Sequence, residues 1–204
     1  MEKFLSLPAQ KQKMIIDAAL ESFSTNGYKK ASISDIATAA GISKSMVFHY
    51  FGTKKALYFY LIELCGKTLV DETTEKFDKS ITDFFDRINL AANIEIAVIK
   101  KHPYLFSFFK SVYFETDEEV FGDIKRIFAQ GEALRNQLTL DGMDISKFKE
   151  DIDPKLVMKM LVWLVEGYLS ELPSKSEIDI DTLCKEFDKC LSLLKSNLYK
   201  EGQL

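Results

Sequence analysis

A chain of 204 residues is long enough for one large domain or two small ones with a buried core. Hydrophobic residues make up 47% and charged residues 28%, a balance that excludes an intrinsically disordered chain. The longest strongly apolar run, residues 160–165, is too short to span a membrane. The three cysteines form no CxxC pair, and with two histidines they make no zinc pattern. We therefore expect a cytoplasmic protein without a metal site.

The net charge of -4 is unevenly distributed along the chain. Residues 1–55 contain eight lysines and four acidic residues, whereas acidic residues are in excess in the remainder. A basic head on an acidic body is typical of a protein whose N-terminal module faces phosphate groups. An asymmetry of this size also arises by chance, so the charge pattern alone leaves both interpretations open.

Apolar residues recur at three- and four-residue spacings along most of the chain, which predicts an all-α protein. Proline fits the first turn of a helix, and glycine provides a left-handed stop at its end. In chain order, helices are predicted from near Pro8 to Asn26-Gly27, over residues 33–40 and 44–50, from Lys54 into the seventies, and near 81–101, 103–114, 117–139, 154–171 and 180–200.

The stretch from Ser32 to Leu57 predicts two short helices joined by a glycine turn. Gly41 ends the first of these helices, Ile42 fills the turn, and Ser43 can cap the second. Such a pair is the sequence form of a helix-turn-helix, in which the second helix enters the DNA major groove. A packed three-helix cap without DNA binding is the competing interpretation. The lysine, serine and histidine residues expected on the outer face favour DNA.

Three segments within residues 12–60 resemble TetR-family transcriptional regulators: AALESFSTNGY (18–28), SISDIATAAGIS (32–43) and HYFGTKKAL (49–57). The resemblance implies a three-helix, helix-turn-helix DNA-binding domain over residues 1–53. It also implies a C-terminal helical bundle for ligand binding and dimerisation over residues 54–204.

Carried over to this chain, the resemblance implies a set of DNA-facing residues. They are Ser32, Ser34, Ser43, Lys44, Ser45, Met46, Phe48, His49 and Lys54. Lys54 is expected to reach a phosphate from the first turn of its helix. The N-terminus of the 33–40 helix also favours a phosphate through its free N–H groups. Ser45, Met46 and Phe48 depart from the glycine, threonine and tyrosine that the family often has.

The segment from Phe77 to Phe128 is unusually rich in aromatic residues. Aromatic residues fill cores efficiently, and they can also line an apolar ligand cavity, which the family resemblance supports. A lipophilic or flat aromatic effector would suit such a cavity. The candidate ligand-binding residues are Phe85, Phe106, Phe109, Tyr113 and Trp163.

The last two long helices carry apolar stripes, which usually indicate burial within one subunit. The resemblance implies a second role for these stripes, a dimer interface built as a four-helix bundle. The candidate interface residues are Leu161, Leu164, Tyr168, Phe187, Leu191 and Leu194.

These observations predict a homodimeric transcriptional regulator, more specifically a repressor that a small effector releases from a palindromic operator in double-stranded DNA. We find no catalytic triad, phosphate loop or dinucleotide fingerprint, so we expect no enzyme activity and no cofactor. Two alternatives stay open. One is an all-α small-molecule-binding protein without sequence-specific DNA binding, and the other is a small all-α enzyme.

Overall fold

The computed structural model describes residues 1–171 and 179–203 of the chain. Over those ranges the regular structure is helical, apart from one isolated bridge between Phe148 and Tyr199, so the all-α prediction is confirmed. The α-helices are α1 (Glu2–Leu5), α2 (Ala9–Lys30), α3 (Ile33–Ala39), α4 (Lys44–Phe51), α5 (Lys54–Lys76), α6 (Phe84–Lys101), α7 (Pro103–Tyr113), α8 (Glu118–Leu140), α9 (Pro154–Glu171) and α10 (Ile180–Leu198).

Every helix that the sequence predicted is present, with ends shifted by a few residues at most. The predicted stop in α2 is also present, because Gly27 adopts φ 66° and ψ 178° and interrupts the helical geometry. The sequence missed α1, which at four residues is too short to show a period of 3.6. It also missed a 3-10 turn over Ile145–Lys147 in the predicted polar loop.

The first of two compact units comprises Met1–Asp71 and Val98–Ala129. Its core includes Phe4, which is fully buried although it lies in the short helix α1. The Phe4 ring packs 4.7 Å from Phe51 of α4 and 5.6 Å from Tyr60 of α5, measured between ring centroids. Helix α1 therefore packs against the buried face of α4.

The second compact unit comprises residues 72–97 and the described part of 130–204. Four aromatic rings form the centre of its core, with Phe148 lying 5.3 Å from Phe84 and 4.9 Å from Tyr199, and Phe85 lying 5.2 Å from Tyr199. The other members of this core are Ile88, Val157, Met158, Leu161 and Leu191.

A buried arginine caps the C-terminal end of α8. Arg87 is only 2% exposed, and its guanidinium donates to the backbone carbonyl groups of Leu138, Thr139 and Asp141 at 2.6–3.1 Å, and to that of Ile81. Helix ends leave carbonyl groups without partners, and a positive charge there also complements the helix dipole. Arg87 therefore supplies the hydrogen bonds that the last turn of α8 lacks.

The predicted functional boundary between residues 53 and 54 remains a prediction. The compact units divide the chain in another way, because α7 and the first half of α8 belong to the same unit as the helix-turn-helix.

Replacing Arg87 with Met is expected to lower the free energy of unfolding by about 3 kcal/mol, because several buried carbonyl groups lose a charged donor. Urea denaturation measures the effect. Arg126→Met is the matched control on α8, since the Arg126 side chain is 78% exposed, and it should change stability by less than about 0.5 kcal/mol. Equal stability of the two variants would contradict the capping role of Arg87.

Candidate nucleic-acid interface and candidate effector site

Helix α3 begins with a side-chain cap and buries one face. The Ser32 hydroxyl accepts a hydrogen bond from the backbone N–H of Asp35 at 3.4 Å. Ile33, Ile36 and Ala37 are buried on the inner face. This short helix is therefore fixed at its first turn and along one side.

The turn after α3 is a Schellman motif. Gly41 has φ +65°, its N–H donates to the carbonyl of Thr38 at 3.1 Å, and the N–H of Ile42 donates to the carbonyl of Ala37 at 2.9 Å. Glycine suits this position because a left-handed backbone conformation is strained for residues with a Cβ atom. The motif ends α3 and turns the chain into α4.

Helix α4 presents a polar face outward. The Ser43 hydroxyl caps it by accepting from the Met46 N–H at 3.3 Å, and its own oxygen lies 2.9 Å from the Ser45 hydroxyl. The inner face consists of Val47, Tyr50 and Phe51, all buried. The exposed residues of the helix and its cap are Ser43, Lys44, Ser45, Phe48 and His49, and Met46 is half-buried.

The two serines predicted at the start of α3 are half-buried. Ser32 serves as the helix cap, and the carbonyl of Ser34 accepts from the Thr38 hydroxyl at 2.9 Å. Their contact with a DNA phosphate stays a prediction.

The phosphate contact expected of Lys54 stays a prediction, and the structure gives its ammonium group partners within the protein. Its ammonium group donates to the backbone carbonyl groups of Tyr28, Lys29 and Ala31 at 2.8, 3.3 and 3.4 Å, and lies 4.4 Å above the centre of the Tyr28 ring. An ammonium group has three N–H donors, and all three are directed at these carbonyl groups. Lys54 therefore fixes the end of α2.

A carboxylate also binds the turn between α2 and α3. Glu115, in the loop after α7, accepts a hydrogen bond from the backbone N–H of Tyr28 at 2.6 Å. Its other oxygen accepts from the N–H groups of Thr116 and Asp117. Sequence reasoning missed this contact, because its partners lie 87 residues apart and leave no local pattern.

A lysine also joins the start of α5 to α8. The Lys55 ammonium donates to the carbonyl of Glu119 at 2.7 Å and pairs with the Asp123 carboxylate at 2.9 Å. The hydrogen bond from Lys55 lowers the pKa of the Asp123 carboxyl. The helix that follows the helix-turn-helix is thus attached to the first turns of α8.

The five aromatic residues predicted to bind an effector differ in their surroundings. Phe85 needs correction, because it is 2% exposed and packs in the core of the second unit. Trp163, in the same unit, is 53% exposed, and the Lys159 ammonium lies 5.0 Å above its ring centre. In the first unit, Phe106 and Phe109 are half-buried and Tyr113 is exposed. Effector binding by these residues stays a prediction.

Three polar residues that the sequence did not single out lie on α6 and α8: Glu95, Arg135 and Asn136. The Nε of Arg135 and the Oδ1 of Asn136 are buried without a hydrogen-bond partner. Desolvation raises the pKa of the nearby Glu95 carboxyl, and the positive charge of Arg135 opposes that rise. Polar residues on a helix usually indicate a solvent-exposed face, so no sequence signal distinguished these three residues.

The predicted dimer-interface residues also separate into two groups. Leu161 and Leu191 are 3% and 4% exposed in the core of the second unit, so they are corrected to core residues. Leu164 is 46% exposed, and Tyr168, Phe187 and Leu194 are half-buried. The exposed apolar stripe of α9 consists of Leu156, Met160, Trp163 and Leu164, whose spacing places them on one face.

The part of the chain that the structure describes contains no group of three or more histidine, cysteine, aspartate or glutamate residues able to hold a metal ion. No helix in that part is both long enough and apolar enough to cross a membrane. The fold and the exposed face of α4 define an all-α protein with an N-terminal helix-turn-helix domain.

Comparison with known proteins agrees with that class. Residues 15–61 match the family model for bacterial regulatory proteins of the tetR family. RutR of Escherichia coli K12, an HTH-type transcriptional regulator, is 40% identical over 52 residues, which cover 26% of this chain and 24% of RutR. The chain therefore spans about a quarter of the length of this relative. IcaR of Staphylococcus aureus, the negative regulator of a biofilm operon, is 24% identical over 77% of this chain and 84% of its own.

Solved structures share the fold over nearly the whole chain. A TetR-family regulator from Chloroflexus aurantiacus superposes with a TM-score of 0.70 at 22% identity, covering 98% of this chain and 99% of that one. FadR of Bacillus subtilis, determined in complex with stearoyl-CoA, gives a TM-score of 0.72 at 20% identity over 92% and 99% of the two chains. Residues 15–61 therefore carry the N-terminal domain of the tetR family, and the chain shares the fold of these solved structures.

The structural role of Lys54 predicts that Lys54→Met lowers the free energy of unfolding by about 1–3 kcal/mol, because three carbonyl groups lose a charged donor. Chemical denaturation followed by circular dichroism measures the change. Lys44→Met is the matched control, because Lys44 is exposed on α4, and its stability should stay within about 0.5 kcal/mol of the parent. A Lys54→Met variant as stable as the control would show that the carbonyl contacts contribute little.

Proposed function

We propose that this chain is a sequence-specific DNA-binding transcriptional regulator that inserts α4 into the major groove. The observation that carries the proposal is the division of α4 into two faces. Val47, Tyr50 and Phe51 fix the helix on the domain, while Lys44, Ser45 and His49 remain exposed. A helix held along its inner side can enter the groove as a rigid element.

Different side chains of this face suit different parts of DNA. Lys44 carries the positive charge that a phosphate or a guanine edge attracts, and Ser43 and Ser45 offer hydroxyl groups. Phe48, 40% exposed, and Met46 are apolar and suit the methyl group of thymine. Lys54 also holds the α2–α3 turn, and its contact with a phosphate remains a proposal.

Salt-dependent binding tests the DNA proposal. An operator fragment is first selected from genomic DNA, and its affinity is then measured from about 50 to 200 mM salt. Lys44→Met should weaken binding and reduce the slope of log K against log salt by about 0.9, the value for one phosphate contact.

The control is Lys79→Met, which removes an exposed lysine of the second unit and should leave the slope unchanged. Parent protein that selects no sequence and binds with a flat salt response would refute the proposal. That result would favour an all-α small-molecule-binding protein.

The proposed active form is a homodimer built through α9 and α10. The apolar stripe of α9 is exposed in the single chain, as is Leu193 of α10 at 65%. Contiguous apolar surface of this kind marks interaction sites. Leu164, Tyr168, Phe187 and Leu194 remain proposed interface residues. A two-fold dimer would place two copies of α4 on the half-sites of a palindrome.

Leu164→Glu is expected to convert the dimer to monomers and to weaken operator binding at least tenfold, because a charge would be buried at the interface. Light scattering measures the mass, and a gel-shift titration measures the affinity. Ile145→Glu is the control, since Ile145 is 62% exposed in the 3-10 turn outside α9 and α10. If Leu164→Glu remains dimeric, the interface lies elsewhere.

We further propose that a small lipophilic or aromatic effector releases this regulator, a repressor in the cytoplasm, from its operator. The comparison with FadR of Bacillus subtilis, solved with stearoyl-CoA, supports regulation by an effector in this fold. The effector must bind the DNA-free state better than the DNA-bound state. Coupling of this kind typically amounts to about 1–3 kcal/mol, or roughly 5–150-fold in affinity.

A further inference from the structure

Two lysines lie side by side on the outer surface of the turn that leads into the helix-turn-helix. The last turn of α2 is closed by a hydrogen bond from the Ala31 N–H to the Gly27 carbonyl at 3.2 Å. Tyr28 and Ala31 are 2% and 5% exposed, so one face of this turn is buried. Lys29 and Lys30 are both exposed, which places two positive charges on the opposite face.

The backbone that carries Lys29 and Lys30 is held by two charged side chains from other parts of the unit. The Lys54 ammonium donates to the carbonyl of Lys29 at 3.3 Å and to those of its neighbours, so these carbonyl groups are directed at the start of α5. The Glu115 carboxylate accepts the Tyr28 N–H at 2.6 Å. The charges of Lys54 and Glu115 offset one another at the backbone, whereas Lys29 and Lys30 contribute their charges on the outer surface.

Acidic residues near this turn lie on the side of its buried ring. Burial raises the pKa of the Tyr28 phenol, and the nearby carboxylates of Glu119 and Asp117 raise it further. From the turn to the end of α4 the balance of charge is the reverse. Residues 29–53 contain three lysines and one acidic residue, Asp35, which leaves this segment with two net positive charges in a chain of net charge -4.

The place of the lysine pair in the chain puts it beside the DNA backbone in the proposed complex. In a helix-turn-helix the second helix lies in the major groove, and the first crosses the sugar-phosphate backbone. Helix α3 is that first helix, and its seven residues span only about 10 Å. Its cap, Ser32, follows Lys30 by two residues, a distance of at most about 7 Å. Lys30 therefore lies at one end of the helix that crosses the backbone.

We infer that Lys29 and Lys30 bind backbone phosphates of the operator, next to the groove that α4 enters. This inference rests on the proposed function, and it adds two residues to the DNA-facing set that the family resemblance implies. A lysine ammonium is a compact charge that binds phosphate oxygens without distinguishing bases. Because the turn is already held at its carbonyl groups and at one N–H, its backbone loses little freedom when the lysines bind.

The salt dependence of binding to an operator fragment selected from genomic DNA tests the lysine pair. Lys29→Gln and Lys30→Gln each remove one charge from an exposed side chain. Each should reduce the slope of log K against log salt by about 0.9 for each half-site, and the double variant by about 1.8. Changing one base pair of the operator should cost the variants and the parent the same factor in affinity, because phosphate contacts do not depend on sequence.

Lys67→Gln is the matched control, because it removes an exposed lysine of the same compact unit. Lys67 lies roughly 20 Å farther along α5 than Lys54. Charges at that separation are screened at 0.1 M salt, where the Debye length is about 10 Å, so the slope should equal that of the parent. Lys29→Arg and Lys30→Arg keep the charge and should keep the slope. Circular dichroism and light scattering establish that each variant keeps the fold and mass of the parent.

The outcomes separate this inference from the proposed function. If the parent has a negative salt slope that the double variant leaves unchanged, the inference is overturned and the DNA proposal stands. A change in the preferred base pair would overturn it as well, since the two lysines would then contact bases. A parent that selects no sequence, but whose salt slope falls in the double variant, would retain the phosphate contacts and refute sequence-specific binding. A parent that binds no DNA would refute both.

Discussion

The position of the helix-turn-helix depends on how the turn between α2 and α3 is held. The Lys54 ammonium donates to the carbonyl groups of Tyr28, Lys29 and Ala31, and the Glu115 carboxylate accepts the N–H of Tyr28. The Lys54 cation thus binds backbone acceptors, and the Glu115 anion binds a backbone donor, within residues 28–31. Because Lys54 begins α5 and Glu115 lies in the loop after α7, the turn is fixed by residues outside α3 and α4.

This arrangement links α7 and the start of α8 to the helices beside the helix-turn-helix through charged contacts. The start of α8 also contacts α5 through Lys55, which pairs with Asp123 and donates to the carbonyl of Glu119. A displacement of α7 or α8 would therefore act on the ends of α2 and α5 through specific charged contacts. Packed elements with two discrete arrangements carry coupling of this kind better than a deformable interior does.

Much of the fold could be predicted from the sequence, because helix stops and caps are local. Gly41 and Ser43 define the turn within three residues, and both adopt the predicted roles. The site was less predictable where partners are distant in the chain. Lys54 has the same spacing whether it contacts a phosphate or three carbonyl groups. Leu161 and Leu191 share a helical stripe with exposed residues, and only packing shows that they are buried.

The burial of Phe4 places part of the support for α4, the proposed DNA-reading helix, outside the residues that match the family model. The family match covers residues 15–61, whereas the ring that supports Phe51 from behind comes from α1. Proteolytic loss of α1 would leave every proposed DNA-facing residue in the chain and would open an aromatic-lined void beneath α4.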